Sequence, residues 1–229
     1  MNVPSLLTVS SKLRTSFMML LMSVFAVVSY GGIVFDGSPG TSAPPAFLGS
    51  RAMFSFPADP RPTFGDYTTA SISEQCPGEI SFSTPLNHRK IGAGWATWSH
   101  GYSGSVYALT PGTMVTITLP ANTRAFYLYA EGNSFAFANI TANANDGTTS
   151  GPIAVSGFAG AHYYGFYTTS PNCLLTTVQI VVDPSAAGFA IGEFGINIDV
   201  NNGAVACNDN IQISLDENCA ATIYPDMVL

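Results

Sequence analysis

Charge is what this 229-residue chain has least of: seven Lys and Arg against fourteen Asp and Glu, 9% charged in all, with a formal net charge of −7. A nucleic-acid partner needs clusters of basic side chains to neutralise phosphate. Apart from the pair Arg89–Lys90 the cations downstream of Arg14 stand singly, so that partner class is excluded. Catalytic signatures are also missing. There is no G-x-S-x-G elbow, no H-E-x-x-H pair and no glycine-rich phosphate loop, so the chain is read as non-enzymatic. No C-x-x-C spacing occurs, and His88, His100 and His162 stand away from the cysteines, which argues against zinc. The absence of any repeat of fixed period excludes a propeller or solenoid.

What is present points to extended structure. Gly (22), Tyr (10) and Phe (15) are abundant alongside many Thr, Ser and Asn, as strands with polar outer faces and tight turns require. The N-terminus carries Lys12 and Arg14 and then an uncharged run, Phe17 to Ser29, which has the charged and apolar parts of a secretory signal peptide. Residues 1–29 are therefore expected to be removed near Tyr30, leaving a secreted or outer-surface protein with no stable membrane span. Uncleaved, the run would serve as an anchor. In an exported chain the four cysteines, Cys76, Cys173, Cys207 and Cys219, read as disulfides with three possible pairings. The short spacing favours Cys207–Cys219 as a local link, which leaves Cys76 with Cys173.

Residues 36–62 are rich in Pro, Gly and Ser, with only Met53 to Phe56 resembling a strand after a first one at Ile33 to Phe35. From Glu79 onward short strands are expected at Glu79–Ser83, Ser105–Leu109, Met114–Pro120, Ala125–Glu131, Phe135–Ala144, Ile153–Gly157, His162–Thr168, Leu175–Val182 and Phe189–Ile198. Val115, Ile117 and Leu119 alternate with Thr116 and Thr118, giving one core face and one wet face. Asn145-Asp146-Gly147 reads as a tight turn. In the last strand Phe189 and Ile191 share one parity and Phe194, Ile196 and Ile198 the other, which a bulge at Gly192-Glu193 would absorb. The expectation is an all-β, jelly-roll-like two-sheet sandwich over residues 30–198, a linker at 199–205, and at 206–229 the start of a second, truncated β-sandwich.

Two groups of residues are candidates for binding. Trp95, Trp98, His100, Tyr102 and Tyr107 form an aromatic cluster whose ring faces could stack on sugars, with packing in the core as its more ordinary use. Asp36, after the first strand, and Glu193, at the bulge of the last, could share a structural calcium ion if the terminal strands run side by side. Glu131 and Glu193 are the only glutamates placed centrally on expected strands, so a carbohydrate-active enzyme would have to use them.

The segment Gly94-Trp-Ala-Thr-Trp-Ser-His-Gly-Tyr-Ser-Gly-Ser-Val-Tyr107, with Thr116 to Pro120, Ala125–Glu131 and Phe189 to Ile196, resembles a β-sandwich module of bacterial exosortase-sorted (PEP-CTERM-like) surface proteins. The tail from Ala206 to Leu229 is similar to the opening of the immunoglobulin- or cadherin-like repeats of secreted adhesins. The resemblance implies a non-catalytic extracellular module, structural or adhesive, with a glycan or matrix component as partner. The alternative is a secreted carbohydrate-active enzyme or its accessory carbohydrate-binding domain.

Overall fold

The computed structural model describes residues 32–72 and 78–199. The expected signal peptide, most of the linker, the second domain, and Cys76, Cys207 and Cys219 lie outside the described residues, and with them both expected disulfide pairings.

The described chain is all-β. A front layer is built from β1 (Ile33–Asp36), β8 (Ser105–Leu109), β10 (Thr123–Gly132), β13 (His162–Thr168) and β15 (Phe189–Ile198), in the order β1-β13-β10-β15-β8. A back layer holds β9 (Met114–Thr118), β14 (Thr177–Val182), β11 (Phe137–Ala144) and β12 (Ile153–Ser156), in the order β9-β14-β11-β12. The thirteen-residue β6 (Glu79–Ile91) joins them. Its Asn87 to Arg89 pair with β8 and its Ser81 and Phe82 with β9. Between these stretches the register against β5 (Asp66–Ser71) slips, where Pro85 has no N–H to give to a ladder. The two inner faces meet in one core that includes Phe126, Phe166 and Ile196 from the front and Ile117, Ile140 and Ile180 from the back.

The strands at Ser105, His162 and Phe189 have the bounds their alternation predicts, and the bulge also falls where expected. Between Tyr127 and Tyr129 on β10 the register against β15 shifts, and Glu193 there has φ 52°. Ile191 and Phe194 both face the core, so Gly192 and Glu193 are turned outward together. The turn at Asn145 to Gly147 forms, with the Gly147 N–H donating to the Ala144 carbonyl at 3.0 Å. Asp199, expected to open the linker, is instead tied to the sandwich: its N–H donates to the Asn122 carbonyl at 2.9 Å and its carboxylate sits 3.3 Å from Arg124.

Residues 36–62 are more than a loop. They contribute β2 (Phe47–Leu48), β3 (Arg51–Ala52) and β4 (Phe54–Ser55) and help to cover the outer face of the front layer. A second apolar cluster lies beneath, with Tyr127, Tyr129, Tyr163 and Val106 from the sheet and Leu48, Trp95 and Trp98 from above it. All ten residues of β10 are consequently buried. Tyrosine suits this layer because its ring packs while its hydroxyl serves irregular backbone: Tyr129 donates to the Ser42 carbonyl, and the Tyr127 and Ser55 hydroxyls are 3.3 Å apart. The rings find room over glycines. A Cβ on Gly195 would lie 2.2 Å from the Tyr127 ring, directly across the strand pair. Gly195→Ala should therefore expel that ring and destabilise the fold by about 2 kcal/mol, measurable as a lower urea midpoint with unchanged slope.

Candidate functional site

The outer face of the front layer gathers most of the residues singled out from sequence, but in a different arrangement. Trp95 lies in β7 (Gly94–Trp95), which pairs in parallel with the end of β6, and Trp98 follows in the loop. Both are buried, at 6% and 5% exposure. Each indole N–H is spent on a carboxylate: Trp95 donates to Glu131 Oε2 at 2.8 Å, and Trp98 to Glu193 Oε2 at 3.1 Å. The W-x-x-W segment is thereby pinned to β10 and β15 by two anchors, and its ring faces are packed rather than offered to a ligand. Packing, the ordinary use of such residues, accounts for both tryptophans.

Glu131 is fully buried and accepts further bonds from the Gly160 N–H at 3.0 Å and the Thr97 hydroxyl at 3.4 Å. Burial pushes its carboxyl up from the usual range, against these donors. Glu193 meets His100 Nε2 at 2.7 Å, and His100 Nδ1 lies 3.1 Å from the Thr41 carbonyl. Burial raises Glu193 as well, opposed by His100 and Trp98. His100 thus links the bulge of β15 to the N-terminal cover. Tyr102 packs on Trp98, with ring centroids 6.2 Å apart.

Tyr107 does not join this cluster. It faces the inner core, stacked on Phe194 at 5.8 Å, and its hydroxyl donates to Asp59 Oδ2 at 2.6 Å. Sequence alternation places Tyr107 opposite Val106 and Ala108 on β8, whereas Tyr102 precedes the strand, so proximity in the chain is no guide here. Asp59 also takes a bidentate bond from Arg61. Burial pulls this carboxyl upward, but the bonds from Arg61 and Tyr107 outweigh it and hold it at about 2. A pocket of about 150 Å³ opens where these groups meet, bounded by Phe56, Asp59, Tyr102, Tyr107, Glu193 and Phe194.

The calcium pairing of Asp36 with Glu193 is corrected by the strand order. β1 pairs with β13, and β10 lies between β13 and β15, so the two acids are separated by about 14 Å of sheet. The Asp36 carboxylate accepts the Ser38 N–H at 2.8 Å, and Glu193 is bound as described. Among the described residues no cluster of three or more His, Cys, Asp or Glu could hold a metal.

A different set of aromatics reaches solvent. Phe135, just before β11, Phe137 on it, and Phe158, just after β12, are 66%, 73% and 63% exposed. Phe135 and Phe158 meet edge to face, with centroids 5.8 Å apart and planes at 86°. Beside them a cleft of about 150 Å³ is lined by Trp95, Thr97, Asn133, Phe135 and Gly157 among others. The signal was present in the sequence: Phe137 has the parity of Asn139, Thr141 and Asn143, the polar phase of an alternating strand, where a large aromatic has no packing role.

No family model matches the chain. No curated protein matches it either. Among solved structures, a family 29 carbohydrate binding module from Piromyces equi is similar over 58% of this chain and 95% of that chain, at 13% identity and a TM-score of 0.26. A similarity of that size carries no argument about ligand or mechanism. Among the described residues no helix is long and apolar enough to cross a membrane.

Two outcomes follow from the buried polar groups. Trp95→Phe leaves Glu131 Oε2 without its donor and should cost about 1–3 kcal/mol, read by chemical denaturation. Asp59, held low in the folded state, contributes stability that is present above its unfolded value near 4 and is lost as pH falls toward 2. Asp59→Asn should thus lower stability at pH 7 by about 1 kcal/mol after allowing for solvent screening, and its melting temperature should converge on the wild type's in scans from pH 5 to pH 2.

Proposed function

We propose that this chain is an exported, non-catalytic surface module, structural or adhesive, that binds glycans through the exposed phenylalanines at one end of the back layer. The observation that carries this reading is the solvent-facing pair Phe135 and Phe158 beside the cleft at Trp95 and Asn133. Apolar ring faces and edges match the C–H-rich faces of sugars, and amides and hydroxyls nearby orient their hydroxyl groups. Asn133 spends one amide proton on the Ala187 carbonyl at 3.2 Å, which fixes the side chain at the cleft. The segments that form the patch, residues 132–138, 153–160 and 93–97, contain no charged side chain. Such a surface suits a neutral partner.

The rival reading, a carbohydrate-active enzyme, would need two carboxyls facing each other across a cleft. Glu131 and Glu193 instead share one sheet face beneath the cover, each tied to an indole, and this supports the non-catalytic reading. Export is supported by the N-terminal charged and apolar segments and by the resemblance to exosortase-sorted surface modules.

Purified protein screened on a glycan array should be retained by at least one neutral glycan. Phe135→Ala and Phe158→Ala should each weaken that binding by about tenfold while leaving the melting temperature unchanged. Binding that both substitutions leave intact would move the site elsewhere. Release of reducing sugar, abolished by Glu131→Gln or Glu193→Gln, would overturn the non-catalytic assignment.

A further inference from the structure

The two layers present opposite kinds of outer face. The front one is covered by the chain's own N-terminal segment, whereas no described element packs over the outer face of the back one. That bare face is ordered in cross-strand rows. Asn143, Gln179 and Thr116 lie opposite one another on β11, β14 and β9. Thr177, Thr118 and Ser81 form a second row on β14, β9 and β6. Directly opposed side chains stand about 5 Å apart, so the rows make a ladder of amides and hydroxyls, and the Gln179 amide already donates to the Thr116 hydroxyl at 3.4 Å. Phe137 lies on the same face of β11, which brings the ladder toward the ring pair of Phe135 and Phe158.

Neither row contains an ionisable group. The acids stand at the borders: Glu79 opens β6, and Asp183 follows β14 and accepts the Asn139 amide at 3.0 Å. Between these rows and Phe137 a third, Thr141, Val181 and Met114, adds apolar side chains. Roughly a quarter or more of an ordinary soluble surface is charged, so a face of hydroxyls, amides and apolar surface with no charge inside its borders is selective. It can satisfy a partner dense in neutral hydroxyls and offers nothing to a polyanion. The ring pair narrows the partner further. Planes at 86° cannot both lie against a flat crystalline surface, but they form a corner that one chain can enter.

We propose that the outer face of the back layer is a track for a single neutral polysaccharide chain, which enters at the Phe135–Phe158 corner and crosses β11, β14 and β9; this rests on the glycan reading above. The test is affinity electrophoresis in gels containing hydroxyethylcellulose, galactomannan, arabinoxylan, laminarin or polygalacturonate, with microcrystalline cellulose as the insoluble probe. Di- to hexasaccharides of whichever polymer retards the protein are then titrated calorimetrically. Retardation by a neutral soluble polymer is expected, with affinity rising with chain length. The double variant Gln179→Ala/Asn143→Ala should lower hexasaccharide affinity by about five- to tenfold and leave disaccharide affinity within about twofold, whereas Phe158→Ala lowers both. Melting temperatures establish that each variant is folded.

Hexasaccharide binding that survives the double variant but not Phe158→Ala would overturn the track and leave the glycan site standing. Retardation by none of the neutral polymers would overturn both. Preference for polygalacturonate or for the crystalline probe would overturn the assignment to a neutral single chain. A dimeric wild type made monomeric by Gln179→Lys, read by sedimentation, would show the face to be a self-association surface instead.

Discussion

A sheet whose central strands are apolar on both faces must be covered twice, and this requirement governs the rest of the molecule. β10 and β13 carry large side chains on both faces, β15 between β10 and β8 adds Ala190 to the outer cluster, and β10 is buried along its whole length. One face is served by the back layer. The other is served by segments with little regular structure, whose N–H and C=O groups lack ladder partners and cannot be left unsatisfied under a cover. The tyrosines and glutamates of the outer face supply those partners. Glu131 takes the Gly160 N–H, the Tyr129 hydroxyl goes to the Ser42 carbonyl, and the Tyr163 backbone N–H to the Gly40 carbonyl at 2.8 Å. The two indole–carboxylate bonds add fixed points, so the cover is held by directed contacts as well as by apolar area.

The same requirement also sets the surroundings of the two glutamates on the outer face. Two glutamates on one sheet face with raised carboxyls are the kind of pair a hydrolase would tune. Here desolvation is the first cause of both shifts, and the donors surrounding each acid belong to the cover itself. Carboxylates that hold a loop in place are occupied by that loop. Tyr107 and Asp59 are committed in a similar way, with Arg61 completing a closed set of donor and acceptor.

Much of the architecture was legible because half-buried strands alternate with period two. Ser105–Leu109 and His162–Thr168 read directly, Met114–Thr118 and Thr177–Val182 form inside the longer runs expected at Met114–Pro120 and Leu175–Val182, and the change of parity in Phe189–Ile198 located the bulge at Gly192-Glu193. Alternation fails where both faces are buried, so the sequence of β10 shows a strand but not its second covering. It fails again at β6, where a strand was expected only over Glu79–Ser83 and the chain instead runs on to Ile91, passing from one layer to the other. The aromatic cluster was legible as composition and not as geometry. Trp95 and Trp98 share a face with Glu131 and Glu193 because a parallel pairing at Gly94–Trp95 places them there, and no local pattern encodes that pairing. Phe137 could have been found, since its parity set it among Asn139, Thr141 and Asn143.

Charge placement connects the fold to its surface. The formal net charge of −7 describes the chain as a whole, yet the acids that can be located do not spread evenly. Glu131 and Glu193 lie under the cover, Asp59 is paired with Arg61, and Asp199 is bound to Arg124. The back layer's outer face is left with hydroxyls, amides, the apolar Val181 and Met114 and one aromatic end. A surface of that kind gains nothing from long-range attraction, so it cannot draw a partner by steering. On the reading proposed above, its selectivity comes from short-range matching of many weak contacts repeated at the strand spacing, which is what a repeating neutral polymer would engage row after row.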